Sequence, residues 1–255
     1  MMDLATSPSF RVDGKAALIT GAGRGIGLAA ACALADAGAR VTLVARSAGE
    51  IEDAAAALRD RGHNAVAAPL DVTDPEAVSR FLDGRDAFDI LVNSAGMNRP
   101  RPFVDVTLDD FDQIVGLNLR ASFFVTQAVI RRLKAQKKGG SIINISSQMG
   151  HVGAVNRSVY CASKWALEGF TKAVAVEVAK DGIRMNTLCP TFIETPMTRP
   201  FLADQAFRAD VLSRIKLGRV GQVEDLTGAV VFLASDASAL MTGTSLLIDG
   251  GWTAD

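Results

Sequence analysis

The sequence predicts a doubly wound α/β fold, a mostly parallel sheet of seven strands with helices on both faces. Three observations carry that expectation. Short apolar runs alternate with longer segments of helical composition between Lys15 and Asp249, and runs without polar alternation suit strands buried on both faces. A glycine-rich stretch, TGAGRGIG, lies between the first run and the first helical segment. No linker, repeat or low-complexity segment divides the chain, so residues 1–255 read as one domain.

The first strand is Lys15 to Thr20, and the alanine-rich segment Ile26 to Ala37, followed by Gly38, reads as a helix with its stop signal. Between them Gly21, Gly25 and Gly27 allow a tight turn and close backbone approach, which leaves helix N-terminal amides free to hold a pyrophosphate. A plain strand-to-helix turn is the alternative. Val41 to Ala45 is the second strand, and Arg46 opens a helical segment through about Arg61. At this place an acidic residue favours a free ribose 2'-hydroxyl, whereas arginine accommodates a 2'-phosphate. Arg46, with Arg24 in the glycine turn, therefore favours NADP(H) over NAD(H), unless both are merely solvated surface charges.

Ala65 to Leu70 is the third strand, and Asp71 after it suits either an adenine amine or, with Thr73 and Asp74, a turn and helix cap. The fourth, Asp89 to Val92, runs into NSAG (93–96), whose small residues suit passage of backbone past a ligand. A helical stretch from Leu108 to about Lys138 is interrupted at Gly116 and Asn118. Among Ile114, Val115, Leu117 and Leu119, a buried Asn118 needs partners, and a water or a lysine is the expected one. Gly140 to Ser146 is the fifth strand, Tyr160 to Ala179 a helix, and Ile183 to Cys189 the sixth strand. A long excursion from Cys189 to Ile215, a helix from Glu224 to Ala234 and a strand from Ser245 to Asp249 close the chain.

The fifth strand delivers Ser147, and the next helix opens with Tyr160 and carries Lys164 one turn later on the same face. An ammonium beside a phenol favours the phenolate, which draws a group of pKa ~10 toward use as an acid or base. Ser147, Tyr160 and Lys164 together could polarise a substrate C–O bond.

Composition removes other classes. Lys and Arg total 27 against 28 Asp and Glu, which gives nucleic acid and anionic membranes nothing to attract. There is no basic start with an apolar core and no apolar run of membrane-spanning length, so the expected location is the cytoplasm. Cys32, Cys161 and Cys189 are scattered and odd in number, which fits a reducing compartment. Cys161, beside Tyr160, reads as a buried thiol before a nucleophile. His63 and His151 form no ligand-spaced cluster, so no catalytic metal is expected.

Taken together, TGAGRGIG, NSAG, Asn118, Ser147, Tyr160 and Lys164 stand in the order and spacing of the classical short-chain dehydrogenase/reductase family, which the chain resembles from Lys15 to Trp252. RVGQVED (219–225), FLASD and IDGG resemble the closing region of bacterial 3-oxoacyl carrier-protein reductases and sugar-acid or polyol dehydrogenases. The resemblance implies a Rossmann-type fold and hydride transfer between nicotinamide and a carbonyl or alcohol carbon. It makes Tyr160 the general acid/base, with Ser147 holding the substrate oxygen, Lys164 binding the nicotinamide ribose and Asn118 a relay water. The dinucleotide contacts it implies are Thr20, Gly21, Arg24, Gly25, Ile26, Gly27, Arg46, Asp71, Val72, Asn93, Ala95, Gly96, Tyr160, Lys164, Pro190, Ile193 and Thr195. One departure is Thr191, where family members commonly carry glycine; it puts the local loop shape in question.

Met97, Asn98, Arg99, Arg101, Gln148, His151, Asn156, Arg157 and the loop from Thr191 to about Arg214 flank these positions. The arginines suit carboxylates and point toward a polar keto or hydroxy compound such as a sugar acid, polyol or 3-keto compound. Apolar residues on several faces of the two long helices, including Phe123, Phe124 and Phe170, predict a homotetramer, with deep burial as the alternative. A catalytically idle dinucleotide-binding regulator and an epimerase or dehydratase of the extended branch are the competing functions.

Overall fold

Side chains alternate across each strand, so one apolar run serves two cores at once. The computed structural model, which describes residue 4 and residues 6–255, shows how. In β1 (Ala16–Thr20), Ala17 and Ile19 face one cluster while Leu18 faces the other. β5 (Gly140–Ile145) divides likewise, Ile143 and Ile145 to the first and Ile142 to the second. With β2 (Arg40–Ala45), β3 (Ala65–Pro69), β4 (Ile90–Asn93), β6 (Ile183–Pro190) and β7 (Ser245–Ile248), these form a seven-stranded sheet of order β3-β2-β1-β4-β5-β6-β7. Every neighbouring pair is parallel.

Helices α1 (Gly25–Asp36) and α2 (Ala48–Asp60) cover the first face. On the second lies α3 (Pro75–Leu82), an eight-residue helix that the sequence reading does not assign although its cap, Asp74, was legible. Asp74 accepts hydrogen bonds from the Glu76 and Ala77 amides, and Pro75 sits at the first helical position, where its missing N–H costs nothing.

The stretch expected as one interrupted helix is three pieces: α4 (Leu108–Val115), a π-helical segment (Gly116–Ala121) and α5 (Ser122–Ala135). The break falls at the residues the sequence flagged, Gly116 and Asn118. Helix α6 begins two residues earlier than expected, at Ser158, and runs to Val178. The excursion after β6 holds two short helices, α7 (Arg199–Leu202) and α8 (Gln205–Arg214), before α9 (Glu224–Ala234) returns to the first face. A third apolar cluster, built from Met149, Phe192, Leu202, Val211, Ile215 and Val220, joins that excursion to the start of α6.

Strand order reverses between β1 and β4, the edge where a doubly wound sheet opens a crevice at its strands' C-terminal ends. The glycine turn after β1 and the NSAG stretch that begins at the end of β4 both lie there. No helix among the described residues is long and apolar enough to cross a membrane.

Candidate active site

The two loops at the switch point are locked to each other. Gly21 has φ +66°, and a Cβ there would lie 2.8 Å from the Ala95 backbone; a Cβ on Gly27 would lie 2.3 Å from the Gly21 carbonyl oxygen. Thr20, expected against a dinucleotide, instead turns its hydroxyl to this junction: Oγ1 accepts from the Ser94 and Ala95 amides at 3.1 and 3.3 Å. Asn93 likewise points its side chain into the molecule, donating to Thr126 Oγ1 at 2.9 Å and Asn144 Oδ1 at 2.8 Å. Asn144 continues the chain to Thr171 Oγ1 at 2.9 Å, a buried ladder linking β4, β5, α5 and α6. Both residues thus shape the crevice through hydrogen bonds that tie its loops to the core.

Arg46 is exposed and makes no ion pair among the described residues, while the exposed Arg24 lies 3.5 Å from Glu50. Asp71 forms the turn that was its alternative, accepting from Thr73 N at 2.9 Å and Thr73 Oγ1 at 2.7 Å. Burial opposes its ionisation, but these bonds and the charge of Arg46 outweigh it and hold the carboxyl below its usual range. The Val72 side chain belongs to the core of the second face. The glycine turn and cationic Arg46 offer donors suited to phosphate groups, while the Asp71 carboxylate can only accept.

Ser147 leaves β5 with extended backbone and caps a short 3-10 turn, accepting from Met149 N at 3.1 Å and donating to Gln148 Oε1 at 2.7 Å. Tyr160 and Lys164 lie one helical turn apart on α6, with the Lys164 ammonium 5.6 Å from the phenol ring centroid. Lys164 Nζ donates to the Ile145 carbonyl at 2.8 Å, and burial lowers its pKa to about 8. The expectation that Lys164 draws down the phenol's pKa is corrected here. Burial pushes Tyr160 above 10, and what opposes that rise is the Ser147 hydroxyl and the Arg157 guanidinium.

The Asn118 side chain finds its partners within the chain, on the Met97 backbone and Ser163. Oδ1 accepts from Met97 N at 2.8 Å, while Nδ2 donates to the Met97 carbonyl at 2.9 Å and Ser163 Oγ at 3.2 Å. It therefore clamps the NSAG extension to α6, and the π-helical segment, a widened turn common at functional sites, is what brings it there.

At the end of β6 Pro190 pairs with Ile248, and Thr191 N donates to the Ile248 carbonyl at 3.2 Å. Thr191 is not among the residues with positive φ, so the replacement of glycine needs no strained backbone. Ile193 bridges to Gly221, and Thr195 exchanges hydrogen bonds with Thr198. This pins the loop over a cleft lined by Asn98, Ser147, Gln148, Arg157, Tyr160 and Thr191, among others.

His151 also departs from expectation. Its Nε2 lies 3.8 Å from Glu168 Oε1, and with Cys189 these ligating atoms fall within 4.8 Å of one another. Residues 151, 168 and 189 are too far apart in sequence for a spacing signal. Glu168 already accepts from Thr187 at 2.8 Å, Ser245 at 2.6 Å and the Cys189 thiol at 3.4 Å. Burial and the nearby carboxylate push that thiol up to about 12, so it keeps its proton. Burial raises the Cys161 thiol as well, which argues against a nucleophile.

Comparison with known proteins accords with this geometry. Residues 21–253 match the family model described as enoyl-(acyl carrier protein) reductase. The chain is 39% identical over 245 residues to L-xylulose reductase from Bos taurus, covering 96% of this chain and 99% of the relative. It is 41% identical over 246 residues to a 3-oxoacyl-(acyl-carrier-protein) reductase from Vibrio harveyi, covering 95% and 98%. Among solved structures, a gluconate 5-dehydrogenase from Burkholderia cenocepacia J2315 in complex with NADP and tartrate superposes with a TM-score of 0.92 at 39% identity, covering 96% and 98%. The chain belongs to the short-chain dehydrogenase/reductase family. It is an oxidoreductase of the class acting on CH–OH groups and their carbonyl counterparts.

Proposed function

We propose that the protein is an NADP(H)-dependent carbonyl reductase or alcohol dehydrogenase for small polar substrates, with Tyr160 as its general acid/base. The observation that carries this reading is the convergence of Ser147, Tyr160 and Lys164 at the sheet edge beside the switch-point crevice. A nicotinamide dinucleotide held along that crevice supplies the hydride. The chain's own residues handle the proton. Ser147 holds the substrate oxygen, and Tyr160, protonated at neutral pH, delivers its phenolic proton to that oxygen in reduction. In oxidation the direction reverses, and the Ser147 hydroxyl and the Arg157 guanidinium favour the phenolate. Asn118 holds the Met97 loop in place through its paired backbone bonds.

Arg46, exposed and unpaired among the described residues, supports a 2'-phosphate on the ribose. The experiment is a nicotinamide-absorbance assay over sugar acids, polyols, 3-keto esters and diketones with both cofactors. Turnover is expected with NADPH in preference to NADH, and Arg46→Asp is expected to shift the ratio of catalytic efficiencies toward NADH. An unchanged ratio contradicts the assignment of Arg46. Cofactor binding without turnover on any substrate favours an idle regulator.

The chain is read as one folding unit that assembles as a homotetramer. Phe111, Phe123, Trp165 and Val176, on α4, α5 and α6, are large exposed apolar residues that support a helix-to-helix interface. Its free cysteines support a cytoplasmic setting.

A further inference from the structure

We infer that Arg157 is a carboxylate anchor, so that the substrates are compact hydroxy or keto acids instead of neutral polyols or ketoses. This rests on the oxidoreductase reading and concerns the same cleft. Of the other arginines that the sequence offers for this role, Arg208 is exposed and does not line the cleft, and four are already committed. Arg99 bonds to Asp109 and Gln113, and Arg101 pairs with Asp110 at 2.8 Å. Arg199 lies 3.5 Å from Glu194, and Arg214 pairs with Asp210 one turn away at 3.2 Å.

Arg157 differs from all of them. It is only 6% exposed, yet its guanidinium makes no hydrogen bond and no ion pair among the described residues. It lines the cleft that Ser147 and Tyr160 line, and it is the one charged side chain there. Phe192, Phe201 and Phe207 surround it, with ring centroids 5.5–5.8 Å from its central carbon.

Cation–π contacts to those rings offset part of the desolvation of a buried guanidinium, but they satisfy none of its N–H donors. The guanidinium is largely desolvated and its nitrogens, none of them fully buried, open on the cleft, so an anion entering there gains charge-assisted hydrogen bonds. The planar fork of five donors matches a carboxylate bidentately, and the apolar walls keep the pair in a low-dielectric setting. Arg157 is the N-cap residue of α6, three residues before Tyr160, and both side chains line the same cleft. A molecule with its reacting C–O group at Tyr160 therefore carries its carboxylate only a few bonds away.

The test compares substrates matched except for charge: acetoacetate with methyl acetoacetate, and the keto form of gluconate with fructose. For the wild-type enzyme with NADPH, kcat/KM is expected to favour each acid by about 10- to 100-fold, the range of one charge-assisted hydrogen-bonded pair. Arg157→Met is expected to collapse that preference chiefly through KM, with Arg157→Lys restoring part of it. Equal use of acid and neutral partner by the wild type, or equal loss on both in Arg157→Met, overturns the anchor.

A second measurement separates this failure from failure of the parent reading. Calorimetric binding of tartrate to the NADP-loaded protein is expected in the wild type and weakened at least tenfold in Arg157→Met, whether or not any substrate turns over. Tartrate binding that depends on Arg157 without turnover on the panel sinks the oxidoreductase reading and supports the anchor. Equal tartrate affinity in both proteins, or none in the wild type, sinks the anchor.

Discussion

Lys164 is a cation that the fold holds in a place unsuited to its charge. Among the described residues its ammonium donates only to the Ile145 carbonyl, and burial lowers its pKa from 10.5 to about 8. The unfolded chain therefore binds more protons than the folded one between pH 8 and 10.5, and stability contributed at this site rises with pH across that window. Above pH 9 the raised thiols oppose it, because folded Cys32, Cys161 and Cys189 retain protons that the unfolded chain releases. The clean interval is thus pH 8 to 9. Urea unfolding there should show stability rising with pH in the wild type and a flatter profile in Lys164→Met; parallel profiles refute the buried-ammonium account. The sequence revealed that Lys164 follows Tyr160 by one turn. It could not reveal that the Ile145 carbonyl takes the ammonium, or that burial dominates the phenol, because both depend on strands far away in the chain.

At the level of elements, legibility follows the range of the signal. Strands β1 and β5, the glycine turn and the break near Asn118 were readable because each is written in consecutive residues. Helix α3 was readable only as a cap, since eight residues give too little period. The Asn93–Asn144–Thr171 ladder and the aromatic box around Arg157 were not readable, for their members meet only once the sheet has formed. The glycine turn gives a direct element-scale prediction. A methyl on Gly27 meets the Gly21 carbonyl at 2.3 Å, so backbone must move. Gly27→Ala should lower stability by about 1–3 kcal/mol, the usual cost of overpacking, and weaken NADP binding. An unchanged denaturation midpoint together with unchanged affinity contradicts the close approach of the turn to the helix start.

On the scale of the whole molecule, one sheet brings together a dinucleotide crevice at the β1/β4 reversal and a substrate cleft closed by the excursion after β6. Large apolar side chains left exposed on α4, α5 and α6 do not line the substrate cleft, and a tetramer would cover them. Light scattering at micromolar concentration should give four times the 26.8 kDa of one chain; a monomeric mass would leave these faces without a partner. Family membership fixed the class of chemistry, while the choice of substrate depends on contacts between distant segments, Arg157 with Phe192 and Phe201 above all. The proposed function rests on Tyr160, the chain's single tyrosine, as the proton donor. The most direct test is single-turnover oxidation of bound NADPH by a carbonyl substrate in Tyr160→Phe. The account predicts a rate at least about a hundredfold below wild type with NADPH affinity retained; a rate near wild type would show that Tyr160 is not the proton donor.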